Sequence, residues 1–174
     1  MTEIPETPAP EFTRMIDVSR LAAGEKVCDI AATPSERAAL AARFGLLDLA
    51  RLTASVKVSR IVGGFVRLEA DLSADVVQSC VVTLDPVAKR VEEHFSLLYG
   101  AAAEEGEAEI ILSGEAEIVE PLGDGVIDIG EVVAQQLSLA LDPYPHKPGA
   151  TVEATQESVL QSPFAALAKW GKKA

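Results

Sequence analysis

Two alternating segments joined by a pair of glycines restrict the fold of this chain most. In residues 52–59 (LTASVKVS) Leu, Ala and Val alternate with Thr, Ser and Lys, and residues 65–74 (FVRLEADLSA) alternate in the same way. This period of two is typical of strands with one buried and one solvated face. Gly63 and Gly64 lie between the segments, and both central positions of a type I′ turn require a positive φ. The pattern therefore predicts an antiparallel hairpin.

Further strands are predicted on both sides of this hairpin. Residues 12–21 (FTRMIDVSRL) and 25–32 (EKVCDIAA) favour two short strands. Residues 76–84 (VVQSCVVTL) favour a central strand, and residues 87–100 (VAKRVEEHFSLLYG) favour a return strand. With the hairpin, these last two predict an antiparallel meander of about four strands. The segments AEIILS and GEAEIVEP, within residues 108–121, favour one or two more.

A first helix is predicted from its end residues. Thr33 is suited to the N-cap, Pro34 to the first helical position, and Glu36 completes the Thr-x-x-Glu pattern of a capping box. Good helix formers follow until Gly45, a residue that commonly ends helices. We therefore expect a helix over about 35–44.

A second, longer helix is predicted within residues 125–150 (GVIDIGEVVAQQLSLALDPYPHKPGA). Asp128 is suited to the N-cap, and Glu131 three residues later resembles the partner of a capping box. Apolar residues at helical spacing then predict a helix over about 129–141. Pro143 ends it, because the residue before a proline is pushed out of α geometry. The proline-rich loop that follows is expected to be stiff but irregular.

Together these elements predict an α+β fold, in which an antiparallel sheet or a half-open barrel packs against two helices. The apolar fraction of 48% supports a folded core. We expect residues 1–10 to form a disordered lead-in, residues 11–150 a single α+β domain, and residues 151–174 a linker with a short amphipathic C-terminal segment. The N-terminus has no basic and hydrophobic signal regions, and no apolar run reaches the roughly 18 residues of a membrane helix. We expect a cytoplasmic protein without membrane contact.

The residues that most often carry catalysis or metals are few and scattered. Cys28, Cys80, His94 and His146 are the only soft ligands, and none fall in a CxxC or HxxxH spacing. We therefore expect no metal, no cofactor and no catalytic residue, although His146 in its stiff loop is a better candidate than His94. In a reducing compartment we expect two buried thiols rather than a disulfide.

The distribution of charge suggests a surface for binding phosphate. The net charge is −12, but residues 1–67 carry nine Lys or Arg against eight acids, whereas residues 68–174 carry six against nineteen. A basic strip along the hairpin could give sequence-independent contacts to RNA, or could be an ordinary solvated face. The candidates for RNA contact are Arg51, Lys57, Arg60 and Arg67.

Two more segments are candidates for recognition. The loop after the second helix is pre-ordered by its prolines, so that docking it costs little entropy. Its candidate contact residues are Asp142, Tyr144, His146 and Lys147. In the C-terminal segment, the candidate docking residues Phe164, Leu167 and Trp170 recur at helical spacing beside three lysines. This segment could fold on a partner or pack on its own domain, and the sequence leaves both alternatives open.

Three segments carry a resemblance to a known family. QSCVVTLDPV, VIDIGEVVAQQLSLALDPYPHKPGA and SPFAALAKW resemble the bacterial YceD family of large ribosomal RNA subunit accumulation proteins, over about residues 10–170 and most closely in its alphaproteobacterial form. The resemblance implies a role in producing or stabilising large-subunit ribosomal RNA, with no enzymatic activity. Many members carry several cysteines after the long helix, but DPYPHKPGA has none, so that a metal role does not transfer.

These observations lead to one principal hypothesis and one alternative. We expect a non-catalytic ribosome-biogenesis factor that promotes accumulation or processing of large-subunit ribosomal RNA. It would bind this RNA or its precursor, a basic large-subunit ribosomal protein, or both. The alternative is a protein–protein adaptor that holds a basic ribosomal protein without contacting RNA.

Overall fold

The computed structural model describes residues 10–21, 24–100, 109–112 and 115–151. The predictions for the N-terminal lead-in and for the C-terminal segment lie outside these residues. The docking candidates Phe164, Leu167 and Trp170 are among the residues not described.

The described part of the chain forms one six-stranded sheet, one two-stranded sheet and two helices. Their order is β1 (Met15–Asp17), β2 (Glu25–Ala31), α1 (Pro34–Phe44), β3 (Asp48–Arg60), β4 (Val66–Ser79), β5 (Pro86–Gly100), β6 (Glu109–Leu112), β7 (Glu115–Pro121), β8 (Val126–Asp128) and α2 (Ile129–Ala140). The large sheet has the order β2-β3-β4-β5-β7-β6, and β1 pairs with β8. Only the β5–β7 pair is parallel among the described pairs. The α+β class is confirmed, and the large sheet is open, with β2 and β6 at its edges.

The predicted separate strand over residues 76–84 is wrong. Val76 continues the buried alternation of the preceding strand, so β4 runs unbroken from Val66 to Ser79. The chain then turns, with the Leu84 N–H donating to the Cys80 carbonyl at 3.0 Å. Leu84 adopts a φ of 62°, which no extended strand allows. The four-stranded meander is therefore β2-β3-β4-β5, with β2 taking the place of the missing strand.

The turn between β3 and β4 is longer than predicted. Gly63 and Gly64 have φ values of 89° and 84°, which confirms the need for glycine at both positions. However, the Ile61 N–H donates to the Phe65 carbonyl at 2.9 Å, so that Val62 joins the two glycines in a three-residue loop. The two-residue type I′ turn is wrong, because hydrogen-bond pairing stops one residue earlier on the β3 side.

One face of the large sheet supplies most of the core. Its buried residues are Leu52, Ala54, Val56 and Val58 in β3, Val66, Leu68, Ala70, Leu72, Ala74 and Val76 in β4, and Val91 and Phe95 in β5. Leu40 of α1 and Val133 and Leu137 of α2 belong to the same core. Burying a Leu or Val side chain contributes about 1.5–3 kcal/mol, so that this face fixes both the register of the strands and the position of the helices.

Both helices begin where the sequence predicts. In α1 the Glu36 N–H donates to the Thr33 hydroxyl at 3.3 Å, and the Thr33 N–H donates to the Glu36 carboxylate at 2.7 Å, a complete capping box. In α2 the Asp128 carboxylate accepts from the Glu131 N–H at 3.3 Å. The Glu131 carboxylate does not complete a box, because Arg43 of α1 binds it at 2.8 Å. Among the described helices, none is long and apolar enough to cross a membrane.

Candidate functional site

The register of the meander sets polar side chains in rows across the face of the sheet opposite the core. One row contains Asp29, Ser55, Asp71 and His94, taken in order from β2 to β5. We call this surface the polar sheet face. Its described charged residues are the carboxylates Glu25, Asp29, Glu69, Asp71, Asp75 and Glu92 and the cations Arg51, Lys57, Arg67 and Arg90. Carboxylates therefore outnumber cations on the described part of this face.

Two of the predicted RNA-contact residues are held in ion pairs with the neighbouring strands. Arg51 Nε lies 3.1 Å from the Asp75 carboxylate. Lys57 Nζ lies 3.0 Å from Glu25 and 3.7 Å from Glu69, and the hydrogen bond to Glu25 raises the pKa of Lys57. Exposed pairs of this kind contribute only about 0–1 kcal/mol each, so that a phosphate could displace one, but the acids would remain nearby.

The other two candidates occupy different positions. Arg67 lies on the polar sheet face, half-buried between Ser59 of β3 and Leu98 of β5. Arg60 has the opposite parity along β3, and its guanidinium donates to the Val18 carbonyl at 2.8 Å. The structure thus brings Arg51, Lys57 and Arg67 onto one face but not Arg60, which instead ties the segment after β1 to the sheet.

A shallow acidic depression lies in the middle of the polar sheet face. Its volume is about 750 Å³, and the carboxylates that face it are Asp29, Asp71 and Glu92, of which Glu92 is paired with Arg90 at 3.0 Å. Glu93 also borders the depression, but its pairing with Leu72 places its side chain on the other face of the sheet. No Lys or Arg is among the described residues that line it. His94 Nδ1 lies 2.8 Å from the Asp71 carboxylate, so that this histidine belongs to an exposed hydrogen-bonded pair. The alternation of β5 accounts for the exposed position of His94, but the acidic surface around it depends on the neighbouring strands.

The predicted recognition loop, residues 142–147, packs against the turn after β4, residues 80–85. We call the combined surface of these two segments the loop face. The Val81 N–H donates to the Pro145 carbonyl at 2.9 Å. Lys147 makes two contacts with this turn: its N–H donates to Cys80 Sγ at 3.4 Å, and its Nζ lies 2.9 Å from the Asp85 carboxylate. The prolines alone therefore do not hold this loop, since the turn supplies partners for its backbone.

The remaining loop candidates are also positioned by local hydrogen bonds. The Asp142 carboxylate accepts from the Tyr144 N–H at 3.0 Å, and this backbone hydrogen bond lowers the pKa of Asp142. The Asp142 carbonyl accepts from Gln78 Nε2 at 2.9 Å. His146 Nδ1 is hydrogen-bonded to the Tyr144 carbonyl. Asp142, Tyr144, His146 and Lys147 therefore do form one ordered surface loop.

Cys80 lies beneath the loop face and differs from Cys28. Its thiol is fully buried, and hydrogen bonds from the Thr83 hydroxyl and then from the Lys147 backbone lower its pKa to about 6, against the opposing effect of burial. Cys28 is only partly buried, so that the prediction of two buried thiols holds for Cys80 alone. Within the described residues, no group of three or more His, Cys, Asp or Glu is placed to hold a metal ion.

Exposed apolar side chains surround the loop face, and of these the sequence analysis identified only Tyr144. Leu84 is 75% exposed and sits in the left-handed region that non-glycine residues rarely adopt. Tyr144, Val81 and Leu139 are exposed at the same end of the sheet. Alternation had placed Val81 and Leu84 in a strand, and only the structure of the turn reveals their exposure.

Comparison with known proteins identifies the family. The family model described as large ribosomal RNA subunit accumulation protein YceD matches residues 68–169. No curated protein and no solved structure gives a significant match to the chain. The matched range begins in β4, includes β5, α2 and the loop face, and contains the docking candidates Phe164 and Leu167 but not Trp170. The chain belongs to the YceD family of large ribosomal RNA subunit accumulation proteins.

Proposed function

We propose that this protein is a non-catalytic ribosome-biogenesis factor of the cytoplasm that promotes accumulation of large-subunit ribosomal RNA by holding a basic large-subunit ribosomal protein. Membership of the YceD family supports the link to this RNA. The observation that carries the choice of a protein partner is the acidic depression, which presents three carboxylates of the polar sheet face and, among its described lining residues, no Lys or Arg.

Electrostatics favours a basic protein over RNA at this surface. The net charge of the chain is −12, and on the polar sheet face the cations Arg51 and Lys57 already bind carboxylates. A phosphate backbone approaching this face would meet the remaining acids, whereas Lys and Arg side chains of a partner would find Asp29, which forms no described ion pair. Complementary potentials of this kind raise association rates and suppress wrong partners.

The loop face offers the apolar contact that charge alone does not provide. Leu84 and Tyr144 are 75% and 71% exposed, and both lie on backbone that is held by hydrogen bonds. Large exposed side chains on ordered backbone lose little entropy on binding, as protein contacts of high affinity require. We propose that the partner contacts the loop residues Asp142, Tyr144, His146 and Lys147 in addition to the acidic depression.

The test is a pull-down of the tagged protein with and without nuclease, with identification of the proteins and RNA retained. We expect a basic ribosomal protein to survive nuclease treatment and to be lost from the Asp71→Asn/Glu92→Gln variant. Both side chains are exposed, so that their neutralisation preserves the fold. The matched control is Glu120→Gln/Asp124→Asn, which removes the same charge at exposed positions outside the polar sheet face. Release of the ribosomal protein by nuclease would contradict the proposal.

Direct contact with ribosomal RNA is the second candidate, favoured by the common orientation of three cations on the polar sheet face. Phosphate contacts make the affinity fall with salt, with a slope that reflects the number of cations engaged. If RNA binds here, replacement of Arg51, Lys57 and Arg67 by Ala lowers both the affinity and this slope. Unchanged affinity and slope in that variant would exclude the hairpin as the RNA contact.

A further inference from the structure

We infer that the C-terminal segment, residues 162–174, docks into the acidic depression of its own sheet when no partner is bound. The inference concerns the same surface as the proposed function, but it is tested in the absence of any partner. It assigns an occupant to the C-terminal docking candidates, for which the sequence left two alternatives.

The depression matches this segment in charge. Besides its three carboxylates, it is lined by the short side chains of Ala31, Thr53, Ser55 and Ser73 and by strand backbone at Ile30, Ala54 and Leu72, whose side chains belong to the opposite face. The segment carries Phe164, Leu167 and Trp170 at helical spacing, together with Lys169, Lys172 and Lys173, and it contains no acid. The lysines can therefore face Asp29, Asp71 and Glu92, while the apolar side chains cover the small side chains on the floor of the depression.

The length of the intervening chain allows this contact. The described chain ends at Thr151, shortly after Lys147, which is anchored at the end of β4 by Cys80 and Asp85. From that end, Asp71 lies eight residues along the strand, or about 26 Å at ~3.3 Å per residue. The twelve residues between Thr151 and Phe164 can span about 40 Å when extended. Such a linker supplies the segment at a millimolar effective concentration.

The other cavity near the end of the described chain lacks this complementarity. It lies beside the end of α2, with a volume of about 520 Å³. Its described lining has one carboxylate, Asp142, and one cation, Arg43. The charge of this carboxylate is balanced by that of the cation, so that this cavity offers no net negative charge to three lysines. The acidic depression is the better match.

The docked segment would act as an internal competitor of a basic partner. A partner would have to displace the segment. The apparent affinity of the partner would therefore be reduced in proportion to the fraction of molecules in which the depression is open. Removal of the segment would therefore strengthen binding of a basic protein at the polar sheet face.

Trp170 is the single tryptophan of the chain and reports docking directly. The experiment measures quenching of its fluorescence by acrylamide in the full-length protein, at several protein concentrations and at low and high salt. We expect Trp170 to be protected at low salt and more accessible at high salt, with no dependence on protein concentration. In Asp71→Asn/Glu92→Gln we expect the docking equilibrium to weaken about fivefold, the effect of about 1 kcal/mol of lost charge attraction.

The control variant Glu120→Gln/Asp124→Asn is expected to behave as the wild type, and circular dichroism checks that each variant is folded. Replacing Lys169, Lys172 and Lys173 by Gln should expose Trp170 without altering the sheet. Full accessibility in the wild type would overturn the inference, as would protection that the depression variant leaves unchanged. Protection that grows with concentration would show docking on a second copy and would also overturn it. The proposed function would survive each of these results.

Discussion

Asp128 holds together the start of α2 and the segment before β1, and its replacement gives the sharpest test of the fold. One carboxylate oxygen accepts from the Gly130 N–H at 3.1 Å, the Glu131 N–H at 3.3 Å and the Arg14 N–H at 2.7 Å. The first two bonds cap the helix, and the third crosses 114 positions of sequence. In Asp128→Ala all three donors lose their acceptor.

The expected loss of stability is the sum of two effects. Removing an N-cap costs about 0.5–2 kcal/mol, and leaving the part-buried Arg14 N–H without its acceptor costs about 1 kcal/mol more. We therefore expect Asp128→Ala to lower the free energy of unfolding by about 2–3 kcal/mol. Asp128→Asn keeps an oxygen acceptor and loses only the attraction of a negative charge to the helix N-terminus, about 0.3–1 kcal/mol.

Urea denaturation followed by circular dichroism measures both variants against the wild type. The Asn variant serves as the control, since it occupies the same site with the same shape. If Asp128→Ala lost less than about 0.5 kcal/mol, the cap and the long-range bond would not act as described. Equal losses for Ala and Asn would show that charge, rather than the acceptor geometry, is what matters.

Three further predictions concern packing, pH and reactivity. A Cβ at Gly130 would lie 2.4 Å from the Phe12 carbonyl oxygen, so Gly130→Ala should lower the free energy of unfolding by about 1–3 kcal/mol. Gly123 lies in open space, so Gly123→Ala should change the free energy of unfolding little. The ion pair of Glu36 with Arg14 lowers the pKa of Glu36 to about 2, so the stability that this pair contributes is present above about pH 4.5 and is lost as pH falls towards 2. The Glu36→Gln variant should lack this acid-dependent loss of stability, and an acid denaturation profile identical to that of the wild type would contradict the assignment. The thiol of Cys80 has a pKa of about 6 but is buried, so it should react with a thiol reagent only after local opening. Peptide mass spectrometry locates the label, and labelling of Cys80 at the rate seen in the unfolded protein would contradict this prediction.

Local sequence signals predicted the helices well. Thr33, Glu36 and Asp128 act through backbone groups two or three residues away, so that the caps of α1 and α2 can be recognised without knowing the tertiary structure. Alternation likewise identified the buried face of β3 and β4, because the period of two follows from the geometry of any strand.

Features that depend on partners distant in sequence were not predicted. Apolar residues at 81–84 continue the pattern of a strand, but the turn is fixed by hydrogen bonds, including one from Val81 to Pro145, far along the chain. The basic strip was recognised from its cations alone, whereas register brings Glu25 and Glu69 beside Lys57 and Asp75 beside Arg51. A single-strand pattern cannot reveal which charges face each other across a sheet.

The acidic depression is the central feature of the proposed function, and its role can be tested in cells. The measurement is the ratio of large-subunit to small-subunit ribosomal RNA in cells whose only copy of the protein is a variant. We expect the ratio to fall with Asp71→Asn/Glu92→Gln and to remain normal with the charge-matched control Glu120→Gln/Asp124→Asn. A normal ratio in the depression variant, together with a reduced ratio when Arg51 is replaced by Ala, would contradict the account and favour direct binding of RNA.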